Sequence, residues 1–128
     1  MQILTCDSAK TRADGTRVRY YRFRNLEIHL NEIPPMTTQP WHSHSRVSEY
    51  IHVLIGELAL RWVDVVGGQQ EHLLRPGEVA FVETDVHTLS NDSDSSVRFL
   101  VVKAALTSSD ESALFQTDRV PVGSEKRE

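Results

Sequence analysis

The sequence predicts an all-β domain, built as a small sandwich or barrel. Short segments with alternating apolar residues recur along the chain, and turn residues separate them about every 8–12 residues. No segment has the pattern of a long amphipathic helix. The 128 residues are 39% hydrophobic and 25% charged, which is typical of a globular chain with one core. We therefore expect a single domain over residues 1–128, with its core at about 18–106 and a short helix or flexible tail at 107–128.

The first two strands are predicted from residue type and from alternation. Val18 to Phe23 is rich in Val, Tyr and Phe, which favour strands. Leu26, Ile28 and Leu30 share one face of the next strand, because successive side chains of a strand point to opposite sides. His29 lies on the opposite face, and the sequence assigns it no role.

The later strands follow the same pattern, with Gly67-Gly68 and Pro76-Gly77 as turns between them. Their predicted ranges are residues 49–55, 58–63, 70–74, 79–82 and 97–102. In the first of them, Ile51, Val53 and Ile55 share a face with Glu49, so this carboxylate is expected to point into the interior. Ser108 to Gln116 is the best candidate for a short helix.

Composition excludes several classes of protein. Fourteen basic and 18 acidic residues give a net charge of −4, which argues against a nucleic-acid-binding protein. No apolar run approaches the roughly 20 residues that span a bilayer. No signal peptide is evident, and Cys6, the only cysteine, cannot form an internal disulfide. These features predict a cytoplasmic protein that binds neither nucleic acid nor membrane.

A cluster of histidines and one glutamate predicts a metal site. His42 and His44 are two residues apart, so on a strand both imidazoles face one side and can meet one ion. Glu49 begins the next strand on its inner face, where a cation would offset the cost of burying its charge. His87 follows the strand 79–82 and a short turn, from which it can return to the same cavity. A set of nitrogen and oxygen ligands suits Fe, Mn, Ni, Cu or Zn, and four ligands leave two octahedral positions open.

The spacing of these residues resembles the cupin superfamily. His42-Ser43-His44, four intervening residues, Glu49, six more and then Gly56 match the first cupin motif. The second motif is indicated by Pro76-Gly77-Glu78, the strand 79–82, His87 and Asn91. The sequence departs from the family at Met36, where the first motif has glycine. The turn before His87 is also one residue shorter and lacks the usual proline and glycine.

The resemblance implies a cupin-type β-barrel, a jelly-roll-like double-stranded β-helix, with metal ligands His42, His44, Glu49 and His87. It implies one divalent transition metal per chain, with Fe(II) favoured, and a small-molecule substrate. The favoured activity is that of a mononuclear non-haem iron dioxygenase. A metal-dependent isomerase or lyase, and a non-catalytic binding or sensor protein, stay as alternatives.

The resemblance also implies a homodimer. We expect the strand-like segment Arg17 to Leu30 to be an edge that a second subunit could pair with. The arginines of the N-terminal quarter are interpreted as solvated edge charges, since alternation prevents them from lining one pocket together. They are Arg12, Arg17, Arg19, Arg22 and Arg24.

Overall fold

The protein folds as two antiparallel β-sheets that face each other. The computed structural model describes residues 1–105 and 119–121, and these residues form strands and turns without a helix. The strands are β1 (Ser8–Thr11), β2 (Arg17–Arg22), β3 (Leu26–Ile33), β4 (Thr37–Thr38), β5 (His42–His44), β6 (Val47–Ile55), β7 (Leu58–Val63), β8 (Gln69–Leu74), β9 (Val79–Val82), β10 (His87–Asn91), β11 (Val97–Ala105) and β12 (Arg119–Pro121). The predicted all-β fold is confirmed.

The strands divide between two sheets of six. The first sheet has the order β1-β2-β3-β11-β6-β9, and the second has the order β12-β5-β10-β7-β8, with β4 also paired to β10. The sheets form a jelly-roll-like sandwich and do not close into the barrel that the sequence predicts. In the described part of the chain β8 pairs only with β7, and β9 only with β6, so the sandwich stays open between these two edges.

The core is built where apolar residues alternate on the inner faces of β6 and β11. Ile51 and Val53 on β6 are fully buried, as their alternation with Glu49 predicts. Ile55 is 57% exposed, because the pairing with β11 shifts register beside Phe99 and breaks the alternation. The other buried residues of this core are Ile33, Leu58, Leu60, Leu74, Val82, Leu89, Val97, Phe99 and Val101.

The inner face of β3 is its polar face. Glu27, His29 and Asn31 are buried, whereas the apolar residues of the outer face, such as Ile28, are only half-buried. This strand was predicted from its apolar alternation, but alternation alone does not state which face lies inward. The buried polar side chains mean that this end of the sandwich encloses a polar pocket rather than continuous core.

The predicted edge at Arg17 to Leu30 is wrong. The strand β2 pairs with β1 on one side and β3 on the other, and β3 also pairs with β11. The hairpin partner β1, which the sequence did not predict, takes the edge position and satisfies the backbone groups of β2.

The last described strand lies within the segment predicted to be a short helix or tail. The strand β12 pairs with β5, with Arg119 opposite His44 and Pro121 opposite His42. The predicted helix at Ser108 to Gln116 lies outside the described residues. None of the described residues belongs to a helix long and apolar enough to cross a bilayer.

Candidate metal centre

The structure brings the four predicted ligands together between the two sheets. His42 and His44 lie on β5, and His87 begins β10 directly opposite His42. Glu49 comes from β6 in the facing sheet. All four side chains are buried, and one donor atom from each lies within 4.8 Å of the others. The site therefore depends on both sheets, with three imidazoles on one side and the carboxylate on the other.

The donor atoms converge on the carboxylate of Glu49. Its Oε1 atom lies 3.0 Å from Nε2 of His44 and 3.2 Å from Nε2 of His87. The rings of His42 and His87 are also close, with centroids 4.3 Å apart. This arrangement gathers three nitrogen donors and one oxygen donor around a single point.

Backbone carbonyls set the tautomers of two of these histidines. His42 Nδ1 lies 3.0 Å from the carbonyl oxygen of Pro40, and His87 Nδ1 lies 2.8 Å from that of Asp85. A carbonyl only accepts, so each Nδ1 carries the proton and donates it. Arg119 Nη2 lies 3.3 Å from His42 Nδ1, farther than the carbonyl oxygen of Pro40, which therefore determines the tautomer.

This tautomer is the one that a metal ligand requires. A neutral ring with its proton on Nδ1 presents a lone pair at Nε2. At His87 that lone pair faces the carboxylate oxygen of Glu49, which also has only lone pairs to offer. A cation between the two atoms removes this repulsion, so the donor set fits a divalent metal ion. The Asp85 carbonyl belongs to the shortened turn, which therefore still orients His87.

The surroundings of His42 and Glu49 favour the protonation states that metal ligands need. Burial, with the neighbouring His87 and Arg119, lowers the pKa of His42 to about 3. Burial by itself would raise the pKa of Glu49, but hydrogen bonds that His44 and His87 donate when their Nε2 atoms carry protons, together with the charge of Lys103, outweigh it and hold the pKa well below its usual value. At neutral pH the site thus holds a neutral imidazole at His42 and an ionised carboxylate at Glu49, as metal binding requires.

A row of charged residues continues from the metal centre across the first sheet. Glu27 on β3, Lys103 on β11 and Glu49 on β6 lie in register on three adjacent strands. Lys103 Nζ is 3.7 Å from Glu49 Oε2. Glu27 Oε1 is 2.7 Å from His29 Nε2, and Glu27 Oε2 is 3.6 Å from Arg22 Nε. Burial lowers the pKa values of both His29 and Lys103.

These residues line a pocket beside the metal centre. The pocket has a volume of about 620 Å³, and a smaller cavity of about 30 Å³ extends to His42 and Glu49. The two cavities share four of their lining residues, which are Arg12, His29, Lys103 and Arg119. The interpretation of the N-terminal arginines as solvated edge charges is therefore wrong for Arg12 and for Arg22, which also lines the larger pocket.

A second cleft opens on the other side of the site. It has a volume of about 440 Å³ and lies between β8 and β9, where the sandwich is not closed. Trp62 and His87 both line this cleft, together with Leu60 and Phe81. The imidazole of His87 therefore borders this cleft, on the side away from the charged row.

Some of the pocket residues that were not predicted as site residues are nevertheless marked in the sequence pattern. Lys103 is in phase with Val97, Phe99 and Val101, so a lysine on this apolar face marks a buried cation. Glu27 and His29 alternate with apolar residues, which is compatible with either face being inside. Nothing local marks Arg12 or Arg119, since only the strand pairing brings them to the pocket.

Comparison with known proteins supports the same fold. The family described as Cupin domain matches residues 29–103, more than half of the chain. A sugar phosphate isomerase of the cupin superfamily from Silicibacter pomeroyi is 26% identical, with a TM-score of 0.60 over 71% of this chain and 60% of that one. No curated protein sequence matches the chain.

Two further structures are similar in fold at lower identity. A recombinant oxalate oxidase in complex with glycolate is 17% identical, with a TM-score of 0.65 over 76% of this chain. Oxalate decarboxylase from Bacillus subtilis is 14% identical, with a TM-score of 0.75 over 95% of this chain and 33% of that one. The chain spans 54% of the length of the oxalate oxidase.

The family match runs from within β3 to within β11 and includes all four candidate ligands. The facing sheets, the convergence of the ligands and the similar structures agree with it. The chain belongs to the cupin domain family.

Proposed function

We propose that the protein is a metal-dependent enzyme that acts on a small organic molecule. One divalent transition metal per chain would be held by His42, His44, Glu49 and His87. The observation that supports this proposal is the convergence of four buried donor atoms within 4.8 Å, next to a pocket large enough for a small substrate. The cationic residues of that pocket would position the substrate beside the metal.

The favoured activity is that of a mononuclear non-haem iron dioxygenase. Three imidazoles and one carboxylate form a ligand set that suits Fe(II) and leaves positions for substrate and dioxygen. When bound, such an ion supplies the activation of dioxygen that the side chains cannot provide. The chain would contribute the ligands, a buried site and a pocket that holds the substrate.

Isomerisation is the second candidate function. The similar sugar phosphate isomerase supports it, at 26% identity over 71% of the chain. In such a reaction a metal ion supplies Lewis-acid polarisation of a substrate oxygen, without a redox change. The identity of the bound metal separates the two candidates.

Elemental analysis of protein purified without added metal and without a nickel column tests this proposal. We expect about one equivalent of iron per chain. A full equivalent of zinc would contradict the dioxygenase, because zinc has no redox chemistry, and would support the isomerase. Protein that binds no transition metal, even after incubation with Fe(II), Mn(II) or Zn(II), would overturn the proposal of a metal-dependent enzyme.

Variants of the ligands test the site itself. His44→Ala and His87→Ala should each lose most of the bound metal, because each removes one nitrogen donor. The matched control is His72→Ala, since His72 is an exposed histidine on β8, 3.3 Å from Glu78. It should keep its full metal content. Retention of a full metal equivalent in His87→Ala, with His44→Ala empty, would show that His87 is not a ligand.

We also propose that the chain forms a homodimer and works in the cytoplasm. Among the described strands, β1 and β9 lie at the edges of the first sheet and pair on one side only. A second copy could satisfy their free backbone groups. Light scattering should give about twice the chain mass of 14.5 kDa. A monomer mass at high micromolar concentration would contradict the homodimer.

A further inference from the structure

Three cationic side chains converge on the pocket beside the metal centre. Arg12 comes from the hairpin between β1 and β2, Lys103 from β11 and Arg119 from β12. All three line both the larger pocket and the small cavity that reaches Glu49. The side chain of Lys103 is only 10% exposed, so its charge is held away from bulk water.

The carboxylates of the pocket offset only part of this charge, because Glu49 pairs with Lys103 alone. Glu49 belongs to the candidate metal ligands, where its Oε1 faces His44 and His87. Glu27 contacts His29 at 2.7 Å and Arg22 at 3.6 Å. Arg12 makes no side-chain ion pair with any described residue. Three like charges in a partly buried pocket repel one another, and a bound anion offsets that repulsion.

Two of these cations lie directly beside candidate metal ligands. Lys103 Nζ lies 3.7 Å from Glu49 Oε2, and Arg119 Nη2 lies 3.3 Å from His42 Nδ1. An anionic group between the cations therefore lies beside two of the candidate ligands. The rest of a small molecule held there would extend toward the metal through the small cavity, which borders the three cations as well as His42 and Glu49.

We propose that Arg12, Lys103 and Arg119 form a subsite for an anionic group, a carboxylate or a phosphate, of the substrate. This inference rests on the proposed function, because it assigns the substrate class of the same site. The paired nitrogen donors of the two arginines suit the oxygen pairs of either anion, and the lysine adds a point charge beside the metal centre.

Calorimetric titration of the metal-loaded protein with succinate and, separately, with glycerol phosphate tests the subsite. We expect one of the two probes to bind, and the probe that binds identifies the anion as carboxylate or phosphate. Arg12→Leu should weaken that binding about tenfold or more, because it removes a charged hydrogen-bond donor. Arg12→Lys should restore only part of the affinity lost in Arg12→Leu, since it keeps the charge but not the paired nitrogen donors.

The control is Arg75→Leu, which makes the same change of charge at an exposed arginine paired with Glu57. It should bind the probe like the unchanged protein. Failure of both probes to bind protein with a full metal equivalent would overturn the subsite. Equal binding by Arg12→Leu and Arg75→Leu would overturn it as well.

Metal content is measured on the same samples, so the two proposals fail separately. Protein that binds no metal but still binds a probe in an Arg12-dependent way would overturn the proposed function and support the subsite. Protein that binds metal and no probe would overturn the subsite alone.

Discussion

Met36 holds a backbone conformation that glycine adopts with less strain. Its φ angle is +51°, in the left-handed region where a side chain meets the backbone. Its N–H donates to the carbonyl oxygen of Ser93 at 3.1 Å, which fixes the turn before the metal-binding strand. Met36 occupies the position where the cupin motif has glycine, six residues before His42. Met36 therefore adopts a conformation that a glycine at this position would adopt with less strain.

Met36→Gly should stabilise the protein. Relief of the left-handed strain gains about 1–2 kcal/mol, and the greater freedom of glycine in the unfolded chain costs about 0.5–1 kcal/mol. The expected net gain in the free energy of unfolding is about 0.5–1 kcal/mol, measured by urea denaturation. The control is Met36→Ala, which keeps a Cβ and should show no such gain. A loss of stability in Met36→Gly would contradict the assignment of strain.

The sequence could predict the residues of the candidate metal centre because their signal is local. His42 and His44 face one side through the two-residue period of a strand, and Glu49 is in phase with a buried apolar face. The neighbouring cations carry weaker signals. Arg12 and Arg119 are separated by more than a hundred residues, and only sheet pairing brings them together.

The turn between β6 and β7 shows how one glycine sets the packing of an element. Gly56 has a φ angle of +91°, and a Cβ at this position would lie 2.8 Å from Cγ2 of Val97. The turn thus lies directly against the start of β11. Both the backbone conformation and the close contact require a residue without a side chain.

Gly56→Ala should destabilise the protein by about 2–4 kcal/mol, because it combines left-handed strain with overpacking against Val97. Gly67→Ala is a matched control, since Gly67 has a φ angle of +86° and nothing within 4 Å of its Cβ position. It should cost only about 1–2 kcal/mol from strain. Equal losses in the two variants, measured by thermal denaturation, would show that the contact with Val97 adds nothing.

Strands were predictable where apolar alternation is regular, and their arrangement was not. The predicted segment 79–82 is the strand β9, and 58–63 is β7. The strands β1 and β12 lack an apolar pattern, so pairing with β2 and β5 defines them instead. The sandwich is open on one side because β8 and β9 do not pair with each other. The residues of these two strands do not by themselves show whether the strands pair.

At the scale of the whole molecule, the burial of His42 and Glu49 makes stability depend on pH. In the metal-free protein His42 has a pKa of about 3, below the reference value of 6.5. Between these values the unfolded chain binds a proton that the folded chain does not, so the free energy of unfolding falls as pH falls. The lowered pKa of Glu49 adds to the loss below its ordinary value of 4.5, because the folded state holds that carboxylate ionised.

We expect the metal-free protein to lose about 3 kcal/mol of stability between pH 7 and pH 4 through His42. Urea denaturation at several pH values measures this loss. His42→Gln should remove that part of the pH dependence, whereas His72→Gln, at an exposed position, should keep it. Equal unfolding midpoints at pH 7 and pH 4 would contradict the burial of a neutral His42.

The pairing of His87 with His42, and of Lys103 with Glu49, also bears on how the chain folds. These contacts join segments roughly 45 to 54 residues apart, and β12 adds residues from still farther along the chain. Contacts of such long range form slowly, because the entropy of closing large loops is lost before they are made. No early folding intermediate with only local structure can therefore contain all four ligands. A metal ion held by all four candidate ligands would therefore be bound only after the two sheets have docked.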